Sequence, residues 1–225
     1  MRNRSVTLLS LLAANDRLGQ PEVYRTVLMK QAFLAETIRP LYRLWRRTFT
    51  FVRYNYGPYS EDVFWHLDTL IFNGLVELTT FVRSRGRVEA RYRITPAGHV
   101  ILKKIDAKEF LELATDLVWA LQTLGVDRAG TISKLVYQEA EFARIFADHA
   151  DAGIRADTKV PLPDVTAASN ETLTTLATLQ ELRGRKLDGH PNGLEFVLPT
   201  REVVRIFLEC LAIQAPHQSQ SEQAT

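Results

Sequence analysis

Apolar residues recur at helical spacing through the first forty positions of the chain. A first helix is predicted near residues 6–14, and a second is predicted from about residue 22 to residue 38. Pro21 suits the first turn of the second helix, and Pro40 prevents that helix from continuing. The segment LYRLWRRTFTFVRYNY follows, and the aromatic positions in its strand-like end are Phe49, Phe51 and Tyr54.

The next helix has clear start and stop signals. Gly57-Pro58 predicts a turn, and Ser60 suits the N-cap position because two acidic residues follow it in the first helical turn. Gly74 supplies a left-handed residue at the other end, after which Leu75 can pack back on the last turn. The apolar face between these signals consists of Val63, Leu67, Leu70 and Ile71.

Two segments of alternating polarity predict a β-hairpin around Gly86. The first segment alternates Val76, Leu78, Thr80 and Val82 with Glu77, Thr79, Phe81 and Arg83. The second segment alternates Val88, Ala90, Tyr92 and Ile94 with Glu89, Arg91 and Arg93. The hairpin is therefore predicted to have an apolar face and a basic face, and Thr95 is expected to cap the helix that begins at Pro96.

Two helices, a third helix and then a hairpin form the element order of a winged helix-turn-helix. The predicted fold class is α+β, mainly α, with an extra strand-like run before the third helix and a C-terminal helical extension. Later helices are predicted at 107–124, 128–147, 165–182 and 200–213, with a short strand at 194–198. The predicted divisions are a winged-helix domain at 1–104, a helical pair at 105–147, the helical extension at 148–214 and a disordered tail at 215–225.

Charge divides the chain, although the net charge of the whole is only +2. Residues 1–104 carry a net charge of +9, and the remaining residues carry −7. The basic half favours a polyanionic partner such as nucleic acid. The acidic half suits dimerisation, autoinhibition or the binding of another protein.

The composition is that of an ordinary globular protein, with 46% hydrophobic and 24% charged residues. No apolar run approaches the roughly 20 residues that cross a bilayer, so no membrane partner is expected. The single cysteine, Cys210, excludes an internal disulfide and is predicted to be buried and inert on the apolar face of a helix. A cytoplasmic location is expected, because such cysteine usage fits a reducing compartment.

Several segments resemble a known family. They are LMKQAFL at Leu28, YNYGPYSEDVFWHLDTLIFNGLVE at Tyr54 and ISKLVYQEAEF at Ile132. Together they resemble the YwgA-like group of bacterial proteins and the related Panacea (SocA-like) antitoxin domain, over roughly residues 4–146. The resemblance implies a small cytoplasmic protein without catalytic activity. Some relatives neutralise toxins by direct contact or deliver a client to a protease, and others lie among phage-associated genes.

The predicted wing is the main candidate for nucleic-acid binding. Its guanidinium groups are expected along one edge of the hairpin, where they can reach phosphates or a narrow minor groove. These residues are Arg83, Arg85, Arg87, Arg91 and Arg93. The alternatives are a solvated hairpin whose charges protect a sheet edge, and a hairpin that binds an acidic protein.

A second basic cluster precedes the third helix and consists of Arg39, Arg43, Arg46, Arg47 and Arg53. Arginines that alternate with aromatic residues can hold phosphates while the rings stack on bases, so Arg43, Arg46 and Arg47 are further candidates for nucleic-acid binding. Alternatively the aromatic residues belong to the core. They are Tyr42, Trp45, Phe49 and Phe51.

The third helix is poorly suited to reading bases. Its outward positions are expected among Glu61, Asp62, Trp65, His66, Asp68, Thr69, Phe72 and Asn73. Three carboxylates among them would face phosphates, and no arginine, lysine or glutamine is offered to base edges. Trp65 and Phe72 suit a protein partner better, unless the C-terminal extension covers them.

Catalysis has little support in the sequence. The five histidines are scattered, Asp148-His149 lacks upstream metal-ligand partners, and no phosphate-binding glycine loop is present, so neither a metal nor a cofactor is expected. Two functions remain. The first is a nucleic-acid-binding regulator or a subunit of a defence or toxin–antitoxin system. The second is an antitoxin-like adaptor that contacts a toxin, an effector or a second copy of itself.

Overall fold

The structure is a computed structural model that describes residues 3–44, 46, 48–54, 57–84, 87–137, 160–161 and 198–213. Within these ranges the protein is mainly helical with small antiparallel sheets, as the α+β prediction expected. The helices are α1 (Asn3–Arg17), α2 (Arg25–Ile38), α3 (Glu61–Phe72), α4 (Pro96–Lys104), α5 (Lys108–Thr123), α6 (Ala129–Tyr137) and α7 (Thr200–Ile213). The 3₁₀ segment at Arg39–Tyr42 directly follows α2.

The described strands form two sheets. They are β1 (Val23–Tyr24), β2 (Val52–Tyr54), β3 (Gly57–Tyr59), β4 (Val76–Ser84), β5 (Arg87–Ile94) and β6 (Val160–Pro161). One sheet has the order β1-β5-β4, and the other has the order β3-β2-β6, with antiparallel pairing throughout. The β4–β5 hairpin predicted from the alternating segments is therefore present.

One buried cluster connects the elements from α1 to α7. The middle of α1 is buried on every side, including its polar residues, and it packs against α3, α4 and α5. The outer helix α7 then packs on α5 and α6. Asn15 of α1 and Gln31 of α2 exchange side-chain hydrogen bonds of 2.9 and 3.2 Å within this core, so that these buried amides are satisfied.

Two predictions for the segments before α3 were wrong, one for the start of the second helix and one for a turn. The second helix begins at Arg25 rather than near residue 22, because Val23 and Tyr24 form a strand that pairs with Tyr92 and Arg91. Gly57-Pro58 lies in β3 instead of forming the turn, and its backbone pairs with Tyr54 and Arg53 of β2. Gly57 has a φ of 95°, a conformation that only glycine adopts without strain.

The boundaries of α3 follow the predicted signals, with one exception. Gly74 is left-handed at φ 68°, and the amides of Gly74 and Leu75 donate to the carbonyls of Ile71 and Leu70 at 2.9 Å. Ser60 occupies the N-cap position with an extended backbone, but its side chain makes no capping hydrogen bond. The capping prediction was wrong in this respect because the Ser60 side chain is buried against the core.

The helix after the hairpin confirms the predicted cap at Thr95. The Thr95 hydroxyl accepts a hydrogen bond of 3.1 Å from the Gly98 amide and donates one of 2.8 Å to the Gly74 carbonyl. A Cβ on Gly98 would lie 2.4 Å from the Leu75 carbonyl oxygen and 2.7 Å from Ile94 Cγ1. Glycine is therefore required where α4 crosses the end of α3 and the base of the hairpin.

The later helical predictions were confirmed where the chain is described. Helix α5 lies within the predicted 107–124, and α7 matches the predicted 200–213. Cys210 in α7 is half-buried, so the prediction of full burial was wrong. The predicted helix at 165–182, most of the strand at 194–198, the end of the 128–147 helix and the tail lie outside the described residues.

Candidate functional site

Helix α3 presents an exposed stripe of alternating acidic and aromatic residues. Glu61, Trp65, Asp68 and Phe72 follow one another at helical spacing, and all four are exposed. The side chain of Trp65 is 62% exposed, and that of Phe72 is 92% exposed. Large aromatic side chains are seldom left this open on a monomeric surface, so this stripe is the first candidate for a binding face.

The opposite side of α3 holds this stripe in place. Val63, Leu67 and Leu70 are buried in the core. His66, which was expected to point outward, is instead buried, and its Nδ1 lies 3.0 Å from the hydroxyl of Ser5 in α1. The prediction for His66 was wrong because the helical face toward α1 includes position 66 together with positions 63 and 70.

The first turn of α3 is tied to the N-terminus of α1. Arg4 forms an ion pair of 3.1 Å with Asp62 and donates a hydrogen bond of 2.6 Å to the Thr48 carbonyl. One of the three carboxylates expected to face a partner is thereby engaged within the chain. The two more exposed carboxylates of the stripe are those of Glu61 and Asp68.

The hairpin adds further exposed apolar residues beyond α3. Phe81 is 63% exposed, Val82 is 49% exposed and Leu78 is 42% exposed. They are open because β4 and β5 extend past the part of the sheet that α3 and the core cover, where Val76 and Ile94 are buried. Leu78 and Phe81 pair with the core-facing Tyr92 and Ala90, whereas Val82 pairs with Glu89 on the other side of the sheet. We call the α3 stripe together with Leu78 and Phe81 the α3–hairpin face.

A β-bulge changes which hairpin residues share a face. The register shifts between Leu78 and Thr80, so Phe81 pairs with Ala90 and Arg83 pairs with Val88. Directly paired residues project from the same face of a sheet, and Ala90 and Tyr92 face the core. Phe81 and Arg83 therefore lie on the face of Ala90, rather than on the predicted basic face.

The predicted single line of five arginines is consequently wrong. Arg83 lies on the face opposite Arg91 and Arg93 because of the bulge. Arg85 lies outside the described residues, and for Arg87 only the backbone pairing with Ser84 is described.

Arg91 and Arg93 are held by carboxylates of their own chain. Arg91 lies 3.5 Å from a Glu22 carboxylate oxygen and 3.3 Å from one of Glu89, and it stacks 4.2 Å from the Tyr24 ring centroid. Arg93 donates to Glu77, and this hydrogen bond together with the Glu77 charge raises the pKa of the Arg93 guanidinium. Their positive charge is thus offset locally, which weakens the case for phosphate binding at this face.

The second basic cluster is only partly a surface. Arg39 is fully buried, donates to Glu36 at 3.5 Å and lies 5.5 Å from the Phe110 ring centroid, so it does not serve as a phosphate contact. Tyr42, Phe49 and Phe51 are buried, which confirms the interpretation of these rings as core. Arg43 and Arg46 are exposed, whereas Arg47, Trp45 and the side chain of Arg53 lie outside what the structure describes.

Lys30 is a buried lysine that contacts β3, the strand that leads into α3. Its ammonium group donates a hydrogen bond of 3.2 Å to the Pro58 carbonyl, and burial lowers the pKa of Lys30 from 10.5 to about 7. Lys30 lies in the LMKQAFL segment that the family resemblance uses. Position 30 falls at helical spacing with Val27 and Leu34 on the apolar side of α2, so the periodicity was an available signal of burial that the presence of a lysine obscured.

Sequence reasoning missed two features of the site. Phe81 was placed on the basic face, and the bulge that turns it to the side of Ala90 has no signal in the alternation of residues. The acids that hold Arg91 and Arg93 come from β4, β5 and the residue just before β1, so only the strand register brings them together. The pairing of Glu77 with Arg93 across the hairpin was the one ion pair of this group that the sequence could have indicated.

No protein-family model matches the sequence, and no curated protein sequence matches it significantly.

None of the helices in the described ranges is long and apolar enough to span a bilayer. The same ranges contain no group of three or more histidine, cysteine, aspartate or glutamate side chains placed to hold a metal ion.

Proposed function

We propose that the protein is a non-catalytic winged-helix adaptor that binds a protein partner through the α3–hairpin face. The observation that carries the proposal is the exposure of Trp65 and Phe72 on one stripe of α3. Exposed aromatic residues in a contiguous surface are typical of the anchors that dominate protein interfaces. The order α1, β1, α2, α3 and hairpin, with β1 pairing along β5, supports the winged-helix interpretation.

The chemistry of the stripe specifies the partner that it fits. Glu61 and Asp68 alternate with the two aromatic side chains, so the stripe is apolar and acidic. A complementary partner would present apolar side chains flanked by lysine or arginine, for example on one face of an amphipathic helix. An antitoxin-like role, which the resemblance to the Panacea domain implies, is one function of this kind.

A photo-crosslinking experiment tests this proposal. A benzophenone amino acid is placed at Phe72 or, as a matched control, at Val100, an exposed apolar residue of α4. Irradiation in cells of the native host should give a discrete covalent product from position 72 that position 100 does not give. The absence of any protein product from position 72, or identical products from both positions, would contradict the proposal.

Nucleic-acid binding is the second candidate function, and the net charge of +9 over residues 1–104 favours it. The end of the hairpin could bind nucleic acid, since Arg83 is exposed there and is not held by the glutamates that engage Arg91 and Arg93. Contacts of this kind would be mainly to phosphates and would give little sequence specificity.

Fluorescence anisotropy separates this candidate from the first. Labelled random-sequence duplex and single strand are titrated with the protein at low and near-physiological salt. If the hairpin end holds phosphates, replacing Arg83, Arg85 and Arg87 with alanine should weaken binding and flatten its salt dependence. The matched variant with Arg91 and Arg93 replaced should bind as the wild type does. No binding at low salt would remove nucleic acid as a candidate.

A further inference from the structure

A cavity of about 540 Å³ lies where the start of α7 meets α5 and the 3₁₀ segment. Its volume is within the range of small-molecule sites. It is lined by charged groups of both signs, which are Arg43, Arg201, Glu109, Glu112 and Asp116, together with Tyr42. The cavity is formed by elements other than α3 and the hairpin, so it is separate from the α3–hairpin face.

The carboxylates of the cavity come from one helix. Glu109, Glu112 and Asp116 of α5 follow one another at intervals of three and four residues and so share one face. Asp116 accepts a hydrogen bond of 2.7 Å from the Tyr42 hydroxyl, which fixes the carboxylate in the wall of the cavity. Burial raises the pKa of Asp116, since desolvation disfavours the ionised carboxyl group.

The guanidinium groups come from the other elements. Arg201 in the first turn of α7 stacks on Trp119 at 5.3 Å, and Arg43 ends the 3₁₀ segment. Within the part of the chain that is described, no ion pair within 4.0 Å joins either arginine to a carboxylate of the cavity. Positive and negative groups therefore face the same space without neutralising one another directly.

Arg43 is a non-glycine residue with a left-handed backbone conformation, which is uncommon for a residue with a long side chain. Arg43 has φ 59° and ψ 24°, a left-handed conformation in which glycine would be the unstrained residue. The chain nevertheless carries a long cationic side chain there, and it lines the cavity. A glycine at this position would keep the backbone turn and remove the charge, which makes it a useful test variant.

We propose that this cavity binds a free basic amino acid. The two guanidinium groups would hold the ligand carboxylate, in the paired geometry that arginine offers to carboxylates. Lys108 pairs with Glu112 at 3.9 Å from outside the cavity, so Glu109 and Asp116 are the two carboxylates that remain for the ligand. They would hold its α-ammonium group and its cationic side chain.

Isothermal titration calorimetry of the full-length protein tests this proposal with L-arginine and L-lysine as probes. At least one of them is expected to bind with a dissociation constant on the order of 1 mM or tighter, since a ligand of this size makes few contacts. Agmatine lacks the carboxylate and L-citrulline lacks the side-chain charge. If L-arginine is a ligand, each of these analogues should bind at least about tenfold more weakly than L-arginine.

Two variants of cavity residues and one control variant link binding to the cavity. Arg43→Gly and Glu109→Gln should each weaken binding at least about tenfold. Arg46→Gly, which changes a nearby exposed arginine outside the cavity, should leave binding unchanged. A thermal unfolding midpoint of Arg43→Gly no lower than that of the wild type would show that the loss is not caused by unfolding.

Three results would overturn the proposal. The first is that neither amino acid binds at about 10 mM, well above the affinity expected for a formed site. The second is that agmatine binds as tightly as L-arginine, since the site would then recognise only a cation. The third is that Arg43→Gly binds both amino acids as the wild type does.

Discussion

Individual residues of this protein depart from the usual distribution between core and surface. Lys30 is buried, whereas Trp65 and Phe72 are exposed. Lysine is among the residues least often buried, and a large exposed aromatic patch is uncommon on a monomer. Both departures occur around α3, since Lys30 contacts the Pro58 carbonyl just before the helix begins.

Replacing Lys30 with methionine should change how stability depends on pH. The pKa of Lys30 is about 7 in the folded protein, whereas the unfolded chain keeps the ordinary lysine value of 10.5. Between these two values the unfolded chain therefore binds one more proton than the folded chain. The free energy of unfolding contributed by this group is expected to rise with pH across that window, by at most about 1.4 kcal/mol per pH unit.

The measurement compares urea unfolding of wild type and Lys30→Met at several pH values from 7 to 9. Methionine lacks the titrating group, so the stability of the variant relative to wild type should fall steadily as the pH rises. A difference between the two proteins that stays constant over this range would contradict the assigned burial of an ionisable Lys30.

Removing the exposed aromatic side chains should leave the fold intact. Trp65→Ala and Phe72→Ala are each expected to change the free energy of unfolding by less than about 1 kcal/mol, because neither ring lies in the core. Leu67→Ala is the matched control on the buried side of α3 and should cost about 2–5 kcal/mol. Urea denaturation measures all three. A large loss for Trp65→Ala would show that the ring supports the fold rather than a binding face.

At the scale of elements, the sequence predicted the presence of helices α1 to α7 and of the hairpin. Helical spacing, the Gly74 signal and the Thr95 cap are local, and local signals survive in the folded chain. The faces of the hairpin were not predictable, because one extra residue between Leu78 and Thr80 exchanges the two faces of β4 beyond that point. Only the cross-strand register reveals such a bulge.

Packing between α4 and the hairpin gives a sharp test of the element arrangement. Gly98→Ala should destabilise the protein by about 1–3 kcal/mol, because the new methyl group would overlap the Leu75 carbonyl oxygen. Gly130→Ala in α6 is the matched control, since nothing lies within 4 Å of its added Cβ. That variant should be neutral or more stable by up to about 1 kcal/mol, because alanine favours helix.

Thermal and urea unfolding of the two glycine variants would be compared directly. Equal stability of Gly98→Ala and wild type would mean that α4 does not cross the end of α3 as closely as described. The same variant is informative for the α3–hairpin face, since Gly98 fixes the base of the hairpin against the end of α3.

At the scale of the whole molecule, the buried cluster joins the basic N-terminal half to α5, α6 and α7. The sequence indicated the charge division but not how its charges are used. Arg91 and Arg93 were expected to face a polyanion, yet both are engaged by nearby glutamates. Net charge depends on composition, whereas the field at a surface depends on which opposite charges the fold brings together.

The candidate binding face was predictable only in part. Trp65 and Phe72 were recognised because an acidic, aromatic helix is poorly suited to DNA. Phe81 joined them through the bulge, and His66 left the surface through its contact with Ser5. The first change depends on the register of two neighbouring strands, and the second on a contact between helices distant in sequence, and periodicity encodes neither.

The most direct test of the account is a quantitative comparison of proteins co-purified from the native host. Tagged wild type, a Trp65→Ala/Phe72→Ala variant and a Lys103→Ala/Lys104→Ala control are purified, and the captured proteins are quantified by mass spectrometry. If the α3–hairpin face binds a protein, the recovery of one partner should fall at least about tenfold with the first variant and be unchanged with the control, because interface anchors carry most of the binding energy. Recovery of every captured protein at wild-type levels with the Trp65→Ala/Phe72→Ala variant would contradict the claim that the α3–hairpin face binds a protein.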